Sequence, residues 1–167
     1  MSHRVSIYTV EDNPIGSGGM GTVYVGYDNY GHKVAIKEMR SELVGDANLK
    51  MRFIKEVEIM KELDHPNIVK LIASFNENNT LYMVMDFVEG VTLKKYVEEN
   101  NPITEAKAVS FMTQILSGLE YVHKNNIVHR DIKPSNIMIN GDTAMLLDFG
   151  IAKDMNNGLT VGQFVLG

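Results

Sequence analysis

Short segments in which apolar and polar residues alternate occupy much of the first half of the chain, and they predict β-strands. Each segment is rich in β-branched or aromatic residues, which favour strands over helices. Polar residues that favour turns, such as those at 28–31 and 76–79, separate neighbouring segments. The predicted strands are residues 5–10, 22–27, 33–38, 68–75 and 81–87.

Two longer segments carry apolar residues at helical spacing. Residues 48–63 interleave apolar residues with charged ones, as an amphipathic helix does. Residues 104–124 form the longest such segment, and Thr104 is expected to cap it. Thr92 is expected to cap a short helix that ends at residue 99. We expect the long helix to be structural, with one apolar stripe of Val109, Met112, Leu116, Leu119 and Val122, flanked by Ile115.

The composition is that of a soluble globular protein, with 44% apolar and 22% charged residues. The net charge is −5 and the basic residues are dispersed, which argues against a nucleic-acid-binding protein. The chain has no cysteine, which excludes disulfides and thiolate metal sites. It has no apolar run of membrane-spanning length and no signal-peptide pattern. We therefore expect a cytoplasmic protein, alone or as the cytoplasmic part of a longer membrane-anchored one.

A glycine-rich segment is the first candidate for function. Residues 16–23, Gly-Ser-Gly-Gly-Met-Gly-Thr-Val, match G-x-G-x-x-G-x-V, which by itself is a weak indication of nucleotide binding. A dinucleotide-binding fold is an alternative, because Glu38 follows at about the distance where such folds place an acidic residue. In a dinucleotide-binding fold the glycine-rich loop opens a helix, whereas residues 22–27 of this chain have strand character. The pattern therefore favours a loop between two strands that covers phosphate groups.

A polar segment between apolar ones is the second candidate. Residues 129–136 read His-Arg-Asp-Ile-Lys-Pro-Ser-Asn, with Ile-Val before them and Ile-Met-Ile after them. Asp148-Phe149-Gly150 follows later in the chain. Charged groups beside buried strands need partners or a function, because their burial without compensation costs free energy.

Five segments, in the expected order, resemble those of a protein kinase catalytic domain. They are the glycine loop, Val-Ala-Ile-Lys at 34–37, the helix with Glu56, H-R-D-x-x-x-x-N at 129–136 and D-F-G at 148–150. The residues in and around these motifs are most similar to those of bacterial eukaryotic-like Ser/Thr protein kinases. The resemblance implies an α+β fold. Its small lobe, residues 1–88, would have a five-stranded antiparallel sheet and one main helix, and residues 89–167 would form part of a mainly helical large lobe.

The resemblance also implies catalytic roles in ATP-dependent phosphoryl transfer to Ser/Thr hydroxyls of protein substrates. Asp131 would act as the base that orients the hydroxyl, and Lys133 would neutralise charge on the γ-phosphate. Lys37 would contact the α- and β-phosphates, with Glu56 as its partner. His129 is expected to pack rather than react. The metal ligands for Mg²⁺ would be Asn136 and Asp148.

The implied nucleotide pocket draws on both lobes. Side chains would enclose the adenine, with Met85 as the gatekeeper at the back of the pocket. The backbone of the segment that follows Met85 would face the adenine edge. The expected ATP-binding residues are Ile15, Gly16, Ser17, Gly18, Gly19, Gly21, Val23, Ala35, Lys37, Met85, Asp86, Val88 and Met138.

The resemblance ends within the activation segment, before the A-P-E motif that the family has there. The later helices of the large lobe, which the resemblance implies, are also absent from this sequence. We therefore expect uncovered apolar surface on the helix at 104–124, and with it low stability or self-association. Thr160 is the only Ser or Thr after Asp148 and is the expected phosphorylation site. The alternative to an active kinase is a nucleotide-binding regulatory or inactive kinase-like module.

Overall fold

The computed structural model describes residues 2–18, 21–39 and 47–147. Nine strands, three α-helices and one short 3₁₀ helix occupy these residues. In chain order they are β1 (Ser2–Val5), β2 (Tyr8–Gly18), β3 (Gly21–Tyr27), β4 (Lys33–Met39), α1 (Ala47–Lys61), β5 (Leu71–Glu77), β6 (Thr80–Asp86), β7 (Val91–Thr92), α2 (Leu93–Glu99), α3 (Glu105–Lys124), the 3₁₀ helix (Pro134–Asn136), β8 (Ile137–Asn140) and β9 (Thr143–Leu146).

The first sheet is antiparallel, as predicted, but it has six strands rather than five, in the order β1-β2-β3-β4-β6-β5. The predicted strand at 5–10 is divided by a turn at Ser6 and Ile7, which no glycine, proline or asparagine marks. Ser6 has a φ of 54° and so turns the chain back on itself. The backbone N of Ser6 donates to Glu77 Oε2 at 2.7 Å, which links the two edge strands of the curled sheet.

The two faces of this sheet have different partners. The outer face carries a separate apolar cluster around Val10, Ile36 and Val84, with stacked aromatic rings above it. On the inner face, Met83 and Leu81 join the main hydrophobic core together with α1. Because side chains alternate along a strand, Lys37 lies on the inner face between outward-facing neighbours.

The two predicted caps on the later helices are confirmed. The Thr92 hydroxyl accepts a hydrogen bond from the backbone N of Lys95, and the Thr104 hydroxyl accepts one from the backbone N of Lys107. Each hydroxyl satisfies an N–H at the first turn that has no partner within the helix. The helix that Thr104 caps ends at Lys124, as predicted.

The predicted apolar stripe of α3 is mostly exposed. Val109, Met112 and Leu116 are each more than half exposed, and only Val122 of the predicted stripe is fully buried. The helix has apolar residues on two faces, and periodicity alone does not tell which face meets the rest of the protein. The buried face consists of Phe111, Ile115, Gly118 and Val122.

The second sheet is small and has the order β7-β8-β9, and α3 packs on β9. One apolar cluster joins it to the inner face of the first sheet through Ile68, Leu146 and neighbouring side chains. Ile68 forms a parallel bridge with Leu146, so the strand predicted at 68–75 begins only at Leu71. Among the described residues, no helix is long and apolar enough to cross a membrane.

Gly90 lies beside the predicted boundary between the lobes, and its backbone has a φ of 130°. A β-carbon at this position would collide with the carbonyl oxygen of Ile139 on β8. Glycine is therefore required here both for its backbone conformation and for the close approach of two chain segments. The division into residues 1–88 and 89–167 stays a prediction.

Candidate active site

The loop between α3 and the 3₁₀ helix turns sharply at Arg130. This residue has a φ of 64°, in the left-handed region that non-glycine residues seldom occupy. Across the turn, the backbone N of Asp131 donates to His129 Nδ1 at 3.3 Å. Strained backbone of this kind is found disproportionately at functional sites.

His129 is 1% exposed and joins the loop to the end of β9. Its Nδ1 accepts from the backbone of Asp131, so its Nε2 carries the proton and donates to the Leu147 carbonyl oxygen at 2.7 Å. The ring is thereby fixed in one tautomer by two backbone groups. This geometry agrees with the expectation that His129 packs rather than reacts.

Asp131 is 8% exposed, and its carboxylate meets two of the predicted site residues. Its Oδ2 accepts from Asn136 Nδ2 at 2.8 Å and lies 3.2 Å from Lys133 Nζ. Asn136 Nδ2 also donates to the Asp131 backbone oxygen at 2.9 Å. A buried carboxylate with an amide donor and an ammonium beside it is held in one orientation, which a general base requires.

The chemistry of Asn136 fits a hard divalent cation. Its Nδ2 makes both of the contacts to Asp131, which leaves the carbonyl Oδ1 as the ligand atom. Among the described residues no three His, Cys, Asp or Glu side chains form a metal-binding group. The second predicted ligand, Asp148, lies outside the described residues, as do Gly19 and the predicted phosphorylation site Thr160.

Lys37 is 2% exposed on the inner face of β4, opposite Val23 on β3 and Met83 on β6. Burial of an ammonium group requires a partner of opposite charge or several acceptors. The predicted partner Glu56 lies in α1, and its side chain is outside the part that the structure describes. Lys37 is therefore positioned by three adjacent strands, whereas the pair with Glu56 stays a prediction.

Three side chains predicted to enclose the adenine share the inner face with Lys37. They are Val23, Ala35 and Met85, each half-buried, and Ala35 lies directly opposite Met85. The glycine-rich segment is a hairpin end, as predicted, because Gly18 pairs with Gly21 across β2 and β3. Of the other predicted ATP-binding residues, Ile15, Gly16 and Ser17 are exposed on β2, and Met138 is half-buried on β8.

The segment that follows Met85 is held from one side by Lys33. Lys33 Nζ lies 3.7 Å from the centre of the Phe87 ring and 3.3 Å from Glu89 Oε1. The backbone N of Asp86 donates to the Lys70 oxygen at 3.0 Å, so any contact of Asp86 with an adenine edge would use its carbonyl. Val88 is half-buried in the same segment.

Sequence reasoning did not single out Asn67 or Gln114, although the structure gives both a central place. Asn67 is buried, and its Nδ2 donates to Gln114 Oε1 at 3.1 Å and to the Ala144 oxygen at 2.9 Å. Their available signal was weak: one asparagine after a proline and one glutamine on an amphipathic helix. Both residues lie next to β9, whose last residue is followed by Leu147.

Two curated bacterial proteins resemble the chain over most of its length. The probable serine/threonine-protein kinase PknB of Lactococcus lactis is 41% identical over 145 residues, which is 85% of this chain and 23% of that protein. The serine/threonine-protein kinase PrkC of Bacillus subtilis is 41% identical over 156 residues, 92% of this chain and 24% of that protein. The chain thus spans about a quarter of the length of these relatives.

Solved structures have the same fold. The kinase domain of Mycobacterium tuberculosis PknI matches with a TM-score of 0.80 and 25% identity, over 93% of this chain and 66% of that one. A structure of Rad53 in complex with AMP-PNP matches with a TM-score of 0.79 and 29% identity, over 87% of this chain and 38% of that one.

The family model of the protein kinase domain matches residues 9–166. The match includes every described residue of the loop around Asp131 and the strand that carries Lys37. Since it extends over nearly the whole chain and agrees with both the relatives and the fold, the chain belongs to the protein kinase domain family.

Proposed function

We propose that this chain is the ATP-binding and catalytic part of a Ser/Thr protein kinase, which transfers the γ-phosphate of ATP to protein Ser/Thr hydroxyls. Membership in the family implies ATP and a divalent metal in general, and Mg²⁺ is our specific proposal. The observation that carries it is the group around Asp131, in which a buried carboxylate has Lys133 and Asn136 at hydrogen-bonding or ion-pair distance. A binding-only module has no need for this arrangement.

In the proposed reaction, Asn136 and Lys133 hold the Asp131 carboxylate through its Oδ2. The carboxylate then orients the acceptor hydroxyl and takes its proton. The hydroxyl oxygen forms the new bond to the γ-phosphorus, and the bond to the ADP oxygen breaks. Lys133 balances negative charge at the transferred group, and Lys37 holds the remaining phosphates. Asn136 and Asp148 would hold Mg²⁺, which neutralises phosphate charge and positions the phosphates.

The pocket for the adenine ring of ATP would lie between the inner face of the first sheet and β8. Val23, Ala35, Met85 and Met138 offer apolar surface on two sides, which suits a planar aromatic ring. The proposed cellular location is the cytoplasm, where ATP and protein substrates are both present.

We also propose that the chain by itself associates with a second copy of itself. The support is the row of Val109, Met112 and Leu116 on the exposed face of α3, each more than half exposed. These side chains follow one another at helical spacing and form a continuous apolar strip.

The alternative function for the whole chain is a nucleotide-binding module that does not transfer phosphate. Nucleotide binding and phosphate transfer, measured side by side, distinguish it from the kinase.

The test compares wild type with Asp131→Asn in two assays. The first measures the melting temperature with and without Mg²⁺·ATP, and the second measures transfer of labelled phosphate to a general protein substrate. Asp131→Asn should lower the transfer rate about 10²- to 10⁴-fold, because the carboxylate base is lost. The melting-temperature shift should persist in the variant, because Asp131 does not hold the nucleotide.

The two assays separate the candidates. Saturation at 100 times the dissociation constant stabilises a protein by about 2.7 kcal/mol, which is readily seen as a shift. A shift without any transfer by wild type would favour the binding module. Absence of the shift in wild type would refute both proposals for this chain.

A further inference from the structure

The segment that connects α1 to β5 lies against α3 and β9, and Asn67 makes several of its polar contacts with them. The buried side chain donates two hydrogen bonds from Nδ2, to Gln114 Oε1 on α3 and to the Ala144 oxygen on β9. The backbone oxygen of Asn67 accepts from the backbone N of Leu146 at 2.8 Å. One residue thus contacts both ends of β9.

Gln114 completes the arrangement from the other side. Its Oε1 accepts from the backbone N of Ala144 at 2.9 Å as well as from Asn67, and its Nε2 donates to the Asp142 oxygen at 2.8 Å. A glutamine side chain has one acceptor and two donor hydrogens, and both ends are used here. Through the Gln114 side chain, α3 therefore holds the β8–β9 turn and the first half of β9.

The end of β9 continues directly into the catalytic loop contacts. Leu147 follows β9, its N donates to the Asn136 oxygen at 2.9 Å, and its oxygen accepts from His129 Nε2 at 2.7 Å. In turn, His129 Nδ1 accepts from the backbone N of Asp131, and Asn136 Nδ2 donates to the Asp131 carboxylate. A continuous series of hydrogen bonds and one strand therefore connects Asn67 to the Asp131 carboxylate.

The close fit of the backbones restricts how this strand can move. A β-carbon on Gly118 of α3 would lie 3.1 Å from the Asn67 oxygen and 3.1 Å from Leu146 Cδ1. The connecting segment is therefore seated directly on α3. Ile68 and Leu146 add apolar packing at this contact, and the hydrogen bonds of Asn67 and Gln114 act on successive backbone groups of β9.

We propose that Asn67 and Gln114 are positioning residues for Asp131, acting through β9, Leu147 and the ring of His129. The inference rests on the proposed kinase function for its kinetic consequence, but its structural consequence can be measured without activity. Loss of either side chain would let β9 shift, which displaces the Leu147 oxygen from His129 Nε2. A displacement of about 1 Å at a reacting group can reduce the rate about 10²-fold.

The primary experiment uses the ring ¹⁵N resonances of His129 in the full chain at one fixed pH. Wild type should show a single neutral tautomer with the proton on Nε2. Asn67→Ala and Gln114→Ala should both show averaging toward the other tautomer, because the carbonyl acceptor is displaced. Gln114→Glu keeps the acceptor atom for Asn67 and Ala144 but places an acceptor opposite the Asp142 carbonyl oxygen, so its His129 signal should lie between those of wild type and Gln114→Ala.

The matched control is Asn125→Ala. Asn125 Nδ2 donates to the Tyr121 oxygen at 2.9 Å at the exposed end of α3, so its removal costs one exposed amide hydrogen bond without a connection to β9. The control should lower the melting temperature yet leave the His129 resonances unchanged. If Asn67→Ala does not fold, Gln114→Ala and Gln114→Glu provide the same comparison.

Kinetics give a second readout where wild type transfers phosphate. Asn67→Ala and Gln114→Ala should lower kcat by about 10-fold to 10²-fold, with KM for ATP changed less than about 3-fold, because the proposed defect is in alignment. Unchanged His129 resonances in both alanine variants would overturn the inference, whatever their stability. Inactive wild type with the predicted His129 changes would refute the kinase proposal and leave the positional linkage intact.

Discussion

At the scale of single residues, the contacts around Asp131 are mostly local. Lys133 and Asn136 are two and five positions away in the chain, and the sharp turn at Arg130 brings Asp131 back to His129. Local contacts of this kind were open to prediction, because the motif fixes both residue types and spacing. By contrast, the partner of the His129 Nε2 is Leu147, which no local pattern would indicate.

Lys107 and Asp142 give a pH-dependent prediction at the residue scale. Their side chains form a hydrogen bond and ion pair between α3 and the β8–β9 turn. The Lys107 ammonium lowers the pKa of Asp142 below its usual 3.8, first by hydrogen bonding and then by charge. Stability from this pair is therefore present above the unfolded pKa of Asp142 and is lost as pH falls through its lower folded value.

We accordingly expect Asp142→Asn to lower the melting temperature slightly between pH 5 and pH 7. The difference from wild type should shrink below about pH 4, where the wild-type carboxylate also becomes protonated. The effect is small because the Asp142 side chain is 86% exposed and salt screens the pair. Lys107→Met combined with Asp142→Asn should cost little more than either change alone, and additive losses would contradict the pair interaction.

At the scale of elements, α3 is the scaffold of the site. Both of its faces carry apolar side chains in the sequence, but only the face with Phe111 and Ile115 meets β9 and the core. The choice of face depends on Gly118, whose missing side chain lets Asn67 and Leu146 approach. A glycine inside a helix costs about 1 kcal/mol relative to alanine, so this close contact offsets an unfavourable propensity.

Gly118→Ala should therefore destabilise the protein by about 1 to 3 kcal/mol, despite alanine's better helix propensity. The added methyl group would press on a backbone oxygen, which moves less readily than the end of a side chain. Thr113→Ala, at an exposed position of the same helix, serves as the control and should be neutral or slightly stabilising. Chemical denaturation gives both values, and a stabilised Gly118→Ala protein would show that the contact is tolerant.

At the scale of the whole molecule, the exposed strip of Val109, Met112 and Leu116 is the feature with the clearest consequence. Three neighbouring apolar side chains on one helix face present a surface that water solvates poorly. Association of two copies would remove part of this surface from water. The fraction of associated chains grows with protein concentration, which provides a direct measurement.

We expect sedimentation velocity to show a concentration-dependent dimer or larger species for wild type. Met112→Lys with Leu116→Lys should shift the protein toward monomer, because two charges would have to be buried in the contact. Tyr30→Lys, at a single exposed aromatic residue away from α3, should leave the association unchanged. A wild-type monomer with a sharp, concentration-independent melt would contradict the proposal.

The sequence by itself determined the family-like motifs, most strands of the first sheet and the caps of α2 and α3. These depend on neighbours in the chain: the alternation of side chains, the threonine hydroxyl at a helix start, and the spacing of Asp131, Lys133 and Asn136. It also placed Lys37 on a strand that follows a glycine-rich hairpin. Local physics is sufficient for such features because few alternatives compete with them.

Only the tertiary structure decided which face of α3 is buried, where β1 turns into β2, and how the two sheets are joined. Ile68 and Val69 continue an apolar run in the sequence, yet they pair with Leu146 instead of extending β5. The central place of Asn67 was likewise decided by the tertiary structure. Its partners are distant in the chain, and the free energy of a buried amide depends on which acceptors the folded protein brings to it.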